Sequence, residues 1–159
     1  MPDLVTHVAL SHLVSRPFEW RHQKKTTVPM RILFYLGTIL PDILTRPWYI
    51  IYPPTMEWTY PLHTPFGMLI ICLMLMLFFE PDLRKKAFLA LYSGSLFHFF
   101  LDGLQTHLTY TEHWLYPFSW RGFGLHIMWA EDILLLIPVW LFLIVVLEII
   151  MRGRKRIHG

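Results

Sequence analysis

The sequence predicts an all-α integral membrane protein, a helical bundle with about four transmembrane helices and a half-buried N-terminal helix. Three observations support this fold class. Hydrophobic residues make up 55% of the 159 residues, charged residues make up only 16%, and several apolar segments are long enough to cross a bilayer. A soluble domain usually carries roughly 25% charged residues, so a water-soluble globular protein is disfavoured. The length allows one domain, residues 1–159.

Four segments are predicted to span the membrane, although a bilayer core needs about 20 apolar residues in helical form and the first segment is shorter. They are residues 30–44, 62–79, 87–104 and 125–151. The N-terminal apolar segment, residues 4–14, is too short to span, and we expect a half-buried or interfacial helix there.

The basic residues set the predicted orientation, because cytoplasmic loops carry an excess of Lys and Arg. Twelve of the fourteen basic residues fall in three runs, residues 16–31, 84–86 and 152–156, which the four spans place on one side. The two exceptions are Arg46 and Arg121. We therefore expect a cytoplasmic C-terminus. The formal net charge of +3 is too small to indicate nucleic-acid binding.

Two connections, residues 45–61 and 105–124, are predicted to lie on the outer side, and both are rich in Trp and Tyr. Such side chains prefer the headgroup level of a bilayer. The sequence leaves two interpretations open, a simple aromatic belt and a surface that faces a substrate.

Ionisable residues gather at the predicted outer end of the bundle. Ionisable groups in a span are costly, so each one is a hypothesis for a functional site. The metal-ligand candidates are His7, Asp42, His63, His98, Asp102 and His126, with Glu131 beside the last of them. The single cysteine, Cys72, excludes an internal disulfide and a cysteine-rich metal site. Any metal must therefore be held by imidazole and carboxylate groups, which suit zinc and similar divalent ions.

His98 and Asp102 give the clearest local signal, because the i, i+4 spacing places both side chains on one helix face. Each candidate also has a simpler interpretation. The His98–Asp102 pair can be a hydrogen bond that joins two helices, Asp42 can end a helix, and His63 can point to water. Taken together, they suffice for two or more metal ions with a bridging carboxylate.

Three residues of the outer connection, His107, Glu112 and His113, remain open between ligands and solvated side chains. Asp42 and Asp102 are also catalytic candidates, since a carboxylate can bridge or orient metal ions. Glu131 or Glu112 is a candidate general acid or base.

Several short motifs in this chain resemble those of one family. They are Thr6-His7, the G-x-x-x-P-D segment from Gly37 to Asp42, His63-Thr64, the G-x-x-x-H-x-x-x-D segment from Gly94 to Asp102, and L-Y-P-F from Leu115 to Phe118. The pattern resembles the YdjM-type predicted membrane-bound metal-dependent hydrolases, which are small, multi-spanning and bacterial or archaeal. It is also distantly similar to zinc-dependent phospholipase C, an all-α enzyme.

The resemblance implies that His7, Asp42, His63, His98 and Asp102 are metal ligands, and it implies a location in a bacterial or archaeal cytoplasmic membrane. The predicted function is hydrolysis of a lipid phosphoester or phosphodiester at the outer face by a metal-activated water, with zinc as the expected metal. The alternative is a non-catalytic membrane protein whose His and Asp residues bind an ion, haem or a partner subunit. A former enzyme that keeps its metal site as a scaffold is the third interpretation.

Overall fold

The computed structural model describes residues 4–22, 27–106 and 113–158, and these residues are mostly helical. The α-helices are α1 (Leu4–His22), α2 (Thr27–Ile51), α3 (Met56–Thr59), α4 (Pro65–Leu75), α5 (Pro81–Gly103) and α6 (Ala130–His158). Short 3-10 turns occupy Pro53–Thr55, Tyr60–Leu62 and Met76–Phe78. Two parallel strands, β1 (Gln105–Thr106) and β2 (Met128–Trp129), pair before α6. The all-α prediction is confirmed.

Two helical segments are long and apolar enough to cross a membrane, Val28–Ile51 in α2 and Leu135–Gly153 in α6. A third candidate consists of two helical segments, Pro53–Leu62 and Pro65–Phe78, which meet at an angle of 71°. The second of these segments falls within the predicted span at residues 62–79, and it counts as a candidate span only together with the first. Four separate spans are not evident in the described part of the chain.

The third predicted span, residues 87–104, lies within α5, which is long enough to cross a bilayer. This helix is not among the candidate spans found in the described residues, because polar side chains such as Ser95, His98 and Asp102 lower its mean hydropathy. All three of these side chains are buried. These three polar groups of α5 therefore face the protein interior.

Helix α2 is longer than the predicted span, since it continues through Pro41 and Pro47 to Ile51. Residues 45–51, predicted as part of an outer loop, are helical. A proline in a helix removes one backbone donor and leaves the carbonyl four residues earlier without its usual partner. For Pro41 that carbonyl belongs to Gly37, and it accepts a hydrogen bond of 3.0 Å from Ser95 Oγ. A side chain of α5 thus compensates for the proline in α2.

Helices α2 and α5 are in close backbone contact, and the contact depends on two glycines. A Cβ atom on Gly37 would lie 2.1 Å from the carbonyl oxygen of Leu91. A Cβ atom on Gly94 would lie 2.1 Å from that of Phe34. Small residues allow this approach between helices in a membrane. The crossing brings together the segment that carries Asp42 and the segment that carries His98 and Asp102.

Helix α6 packs on α1. Only 6% of the most apolar stretch of its candidate span, Leu135–Gly153, is buried. Glu148 of α6 accepts hydrogen bonds from Arg16, 2.5 Å from Nε to Oε1 and 2.9 Å from Nη2 to Oε2. His12 Nε2 lies 3.1 Å from the same Oε1, and His12 Nδ1 lies 3.0 Å from the hydroxyl of Tyr35. This network connects α6 to α1 and α2.

Candidate metal centre

Five of the predicted site residues lie together in one buried group, which we call the His/Asp cluster. Its members are His7, Asp42, His63, His98 and Asp102. His7 and His98 are fully buried, both aspartates are 2% exposed and His63 is 7% exposed. Burial of two carboxylates is costly unless they are paired or bind a metal ion. The arrangement therefore requires a compensating group.

Three helices and the break before α4 position these side chains. His7 lies in the first turn of α1, and His98 and Asp102 lie in the last two turns of α5. Asp42 lies in the middle of α2 rather than at a helix end as predicted, because α2 continues past it. His63 lies at the break before α4.

Thr64 explains the break that places His63. Its Oγ1 accepts a hydrogen bond of 3.1 Å from Gly67 N and donates one of 2.7 Å to Pro61 O. The first contact is a helix N-cap, and Pro65 follows at the first helical position, where proline is favoured. The cap starts α4 immediately after His63. The ring of His63 therefore reaches the cluster from outside a helix.

The first metal-capable group consists of His7, His98 and Asp102, which offer ligand atoms within 4.8 Å of one another. His7 Nε2 lies 3.4 Å from Oδ1 of Asp102. His98 Nε2 lies 3.2 Å from Oδ2 of the same carboxylate. The two oxygens of Asp102 thus face different histidines.

The second metal-capable group consists of Asp42, His63 and His98. Oδ1 of Asp42 lies 3.5 Å from His63 Nε2 and 3.8 Å from His98 Nε2. The two Nε2 atoms are 3.1 Å apart. Oδ2 of Asp102 also lies 3.8 Å from His63 Nε2. Both groups therefore converge on His98.

One hydrogen bond cannot account for both close contacts of His98. An imidazole nitrogen carries at most one hydrogen. Nε2 of His98 lies within 3.2 Å of both His63 Nε2 and Asp102 Oδ2, so it can donate to one of them and not to both. A cation among the facing atoms would interact with all of them at once.

The donor set and its spacing fit a metal ion. Zinc binds imidazole nitrogen at about 2.0–2.1 Å in a tetrahedral arrangement, which places two such nitrogens about 3.3 Å apart. His63 Nε2 and His98 Nε2 are 3.1 Å apart, and the nearest histidine–carboxylate distance is 3.2 Å. The His/Asp cluster can therefore hold a metal ion with little rearrangement of its side chains.

Arg46 is a neighbour of the cluster that the ligand search in the sequence missed. Its Nη2 lies 2.7 Å from Oδ2 of Asp42, four residues earlier on α2. The i, i+4 spacing and the exceptional position of Arg46 in the basic-residue pattern were signals for this contact. With neutral histidines, the two carboxylates and Arg46 together carry one net negative charge. A divalent cation would change this to one net positive charge.

His126 is not brought to the cluster. It was predicted at the mouth of the last helix, but α6 begins at Ala130 and β2 lies between them. His126 has a positive φ of 50°, is exposed, and its Nδ1 lies 3.2 Å from the carbonyl oxygen of Gln105. Backbone hydrogen bonds tie this segment to Gly103 and Leu104, just after Asp102, but His126 belongs to neither metal-capable group of the described residues.

Four other candidates remain, three in the predicted outer connection and one in α6. His113 forms a hydrogen bond through Nδ1 with the hydroxyl of Tyr60 and is not part of either metal-capable group. His107 and Glu112 lie outside the described residues. Glu131 is in α6, and its side chain also lies outside the described part of the structure.

Comparison with known proteins adds no family assignment. No protein-family model matches the chain. Neither the curated proteins nor the solved structures give a significant match. The functional conclusion therefore depends on the cluster and its surroundings.

Proposed function

We propose that this protein is a membrane-embedded metal-dependent hydrolase that cleaves a phosphoester or phosphodiester bond of a lipid. One observation carries the proposal. Three Nε2 atoms and two carboxylates converge in a buried cluster that contains two groups spaced as metal ligands are. Imidazole and carboxylate ligands in such a group are typical of hydrolytic zinc sites.

Two ions fit the donor atoms better than one. Nε2 of an imidazole has one lone pair for a metal, so His98 serves a single ion although it belongs to both groups. Asp42, His63 and His98 are the ligands of one ion in this proposal. His7 is the ligand of the other. Asp102 is the bridging candidate, because its oxygens face different histidines.

A bound divalent ion supplies a Lewis acid that polarises a phosphoryl oxygen and activates water for attack at neutral pH. The chain contributes the orientation of this centre. Burial of His7, His98 and Asp102 keeps bulk water away from the ligands. Glu131 remains the proposed general acid or base.

A lipid substrate is supported by the surroundings of the cluster. Two helices are long and apolar enough to cross a membrane, and the bent pair supplies a third candidate span. Large aromatic side chains of the two predicted outer connections are exposed, among them Trp48, Trp58 and Trp120. Such rings favour the headgroup region. We propose that α5 completes a four-span bundle and that the cluster faces the outer leaflet of a bacterial or archaeal cytoplasmic membrane.

The decisive experiment combines elemental analysis with lipid hydrolysis. Detergent-purified protein is analysed for bound metal and incubated with a mixed lipid extract, and released headgroups and diacylglycerol are identified by mass spectrometry. His98→Ala is the matched inactive variant. We expect at least one zinc equivalent and metal-dependent products with the wild type only. Metal without turnover would contradict the hydrolase and favour a non-catalytic role for the cluster.

A further inference from the structure

Arg46 is an exception to the basic-residue pattern of this chain, because most Lys and Arg residues lie in the three predicted cytoplasmic runs. Its side chain is 19% exposed and reaches the carboxylate of Asp42, which is 2% exposed. An arginine on the side of the membrane that basic residues usually avoid needs a local reason. The buried carboxylate one helical turn away supplies it.

The two oxygens of Asp42 have different neighbours. Oδ2 lies 2.7 Å from Nη2 of Arg46. Oδ1 points to the other side and lies 3.5 Å from His63 Nε2 and 3.8 Å from His98 Nε2. The separation of 2.7 Å makes this a close ion pair with a nearly buried carboxylate. Arg46 therefore determines which oxygen of Asp42 faces the histidines.

Tyr49 supports the side chain of Arg46 from the next turn of α2. The Tyr49 side chain lies close enough to the Arg46 guanidinium for the two groups to interact. Asp42, Arg46 and Tyr49 follow the i, i+4, i+7 spacing of one helix face. The guanidinium thus has the carboxylate of Asp42 and the phenol of Tyr49 as neighbours on the same helix.

We infer that Arg46 is a positioning residue of the metal centre, which binds Oδ2 of Asp42 and so leaves Oδ1 as the single metal-binding oxygen of that carboxylate. This inference rests on the proposed metal binding by the His/Asp cluster. A carboxylate that binds through one oxygen keeps the coordination number of the ion low. Partners that orient a ligand in this way are typical of metal sites in proteins.

The test uses the coordination geometry of cobalt(II) as the readout, with the full chain in detergent. Four-coordinate cobalt(II) absorbs visible light several-fold more strongly than five- or six-coordinate cobalt(II). One equivalent of cobalt(II) is added to metal-free wild type, Arg46→Met, Arg46→Lys and Arg121→Met. The last variant is the matched control, because Arg121 is the other basic residue outside the three runs and is exposed.

We expect intense bands from the wild type and from Arg121→Met, and a several-fold loss of intensity with Arg46→Met, in which both oxygens of Asp42 become available to the ion. Arg46→Lys keeps a charged donor, so it should retain most of the intensity with shifted band positions. A merely structural role of Arg46 would reduce the amount of folded protein and leave the spectrum per bound cobalt unchanged.

The outcomes separate this inference from the proposed function. A wild-type spectrum in Arg46→Met overturns the inference alone. If that variant does not fold, a spectrum of Arg46→Lys identical to that of the wild type in both position and intensity overturns it. Failure of the wild type itself to bind cobalt or zinc overturns the proposed metal site and the role of Arg46 with it.

Discussion

Nε2 of His63 lies 3.1 Å from Nε2 of His98, although the two residues are 35 positions apart in the sequence. Both nitrogens also face the carboxylates of Asp42 and Asp102. His63 lies at the helix break before α4, and His98 lies in the last two turns of α5. Such a meeting of nitrogens is favourable when a cation lies between them, and it supports the predictions below.

Removal of one central ligand should abolish metal binding. His98 belongs to both metal-capable groups and Asp102 faces two histidines. His98→Ala and Asp102→Ala should therefore lose the bound metal and any metal-dependent turnover, as measured by elemental analysis and lipid hydrolysis. His126→Ala is the matched histidine control and should keep its metal, because His126 is exposed and contacts the Gln105 carbonyl. Full metal content in His98→Ala would show that the site is elsewhere.

Metal binding should also stabilise the folded protein, since a ligand that binds only the native state adds to its stability. At a free metal concentration of 100 times Kd the gain is about 2.7 kcal/mol. Zinc should therefore raise the thermal midpoint of the wild type in detergent, and a chelator should lower it. In His98→Ala the midpoint should not respond to either treatment. An equal response of both proteins would indicate unspecific binding.

The sequence predicted the members of the cluster better than the elements that carry them. His98 and Asp102 share a helix face by spacing alone, and the cost of buried charge in an apolar chain explains why these residues meet. The position of Asp42 was not predictable in the same way. Pro41 suggested a helix end, but the hydrogen bond from Ser95 to the Gly37 carbonyl allows α2 to continue. This contact connects residues 58 positions apart, which local patterns do not reveal.

His126 was included among the ligand candidates although it lies in neither metal-capable group, whereas Arg46 was left out although it contacts Asp42. His126 was placed at the start of a helix by hydropathy, whereas α6 begins at Ala130 and the His126 ring contacts the Gln105 carbonyl instead of a ligand group. Arg46 was noted only as an exception in the charge pattern. Its role depends on which oxygen of Asp42 it contacts, and this is a property of side-chain geometry.

The close crossing of α2 and α5 predicts a strong effect of single methyl groups. Gly37→Ala or Gly94→Ala would place a Cβ atom 2.1 Å from a backbone oxygen of the opposite helix. Backbone has to shift to relieve such a contact, so each variant should lose about 2 kcal/mol of stability and part of its metal. Gly153→Ala is the control, because nothing lies within 4 Å of its added Cβ. Unfolding in detergent and elemental analysis measure both effects, and wild-type values for Gly94→Ala would contradict the crossing.

The network around Glu148 should stabilise the protein without contributing to metal binding. Glu148→Gln weakens two charged hydrogen bonds to Arg16 and one contact with His12. The Glu148 and Arg16 side chains are 23% and 16% exposed. The loss of free energy of unfolding should therefore lie between the values for a surface ion pair and a buried one, about 2 kcal/mol. Glu57→Gln, in the exposed part of α3, is the control. Thermal unfolding should reveal the loss while metal content stays at the wild-type value. Loss of metal in Glu148→Gln would show that the two polar groups are coupled.

The proposed orientation can be tested by cysteine labelling, because the native Cys72 is fully buried and should not react. Phe123 lies in the segment before α6 and is 63% exposed. Gly153 lies near the other end of α6, where nothing is within 4 Å of an added Cβ atom. In intact cells, a membrane-impermeant maleimide should label Phe123→Cys and leave Gly153→Cys unlabelled until the membrane is permeabilised, since the basic residues after α6 favour the cytoplasm. Wild-type protein is the background control. The reverse labelling pattern would place the metal centre on the cytoplasmic side and exclude hydrolysis in the outer leaflet.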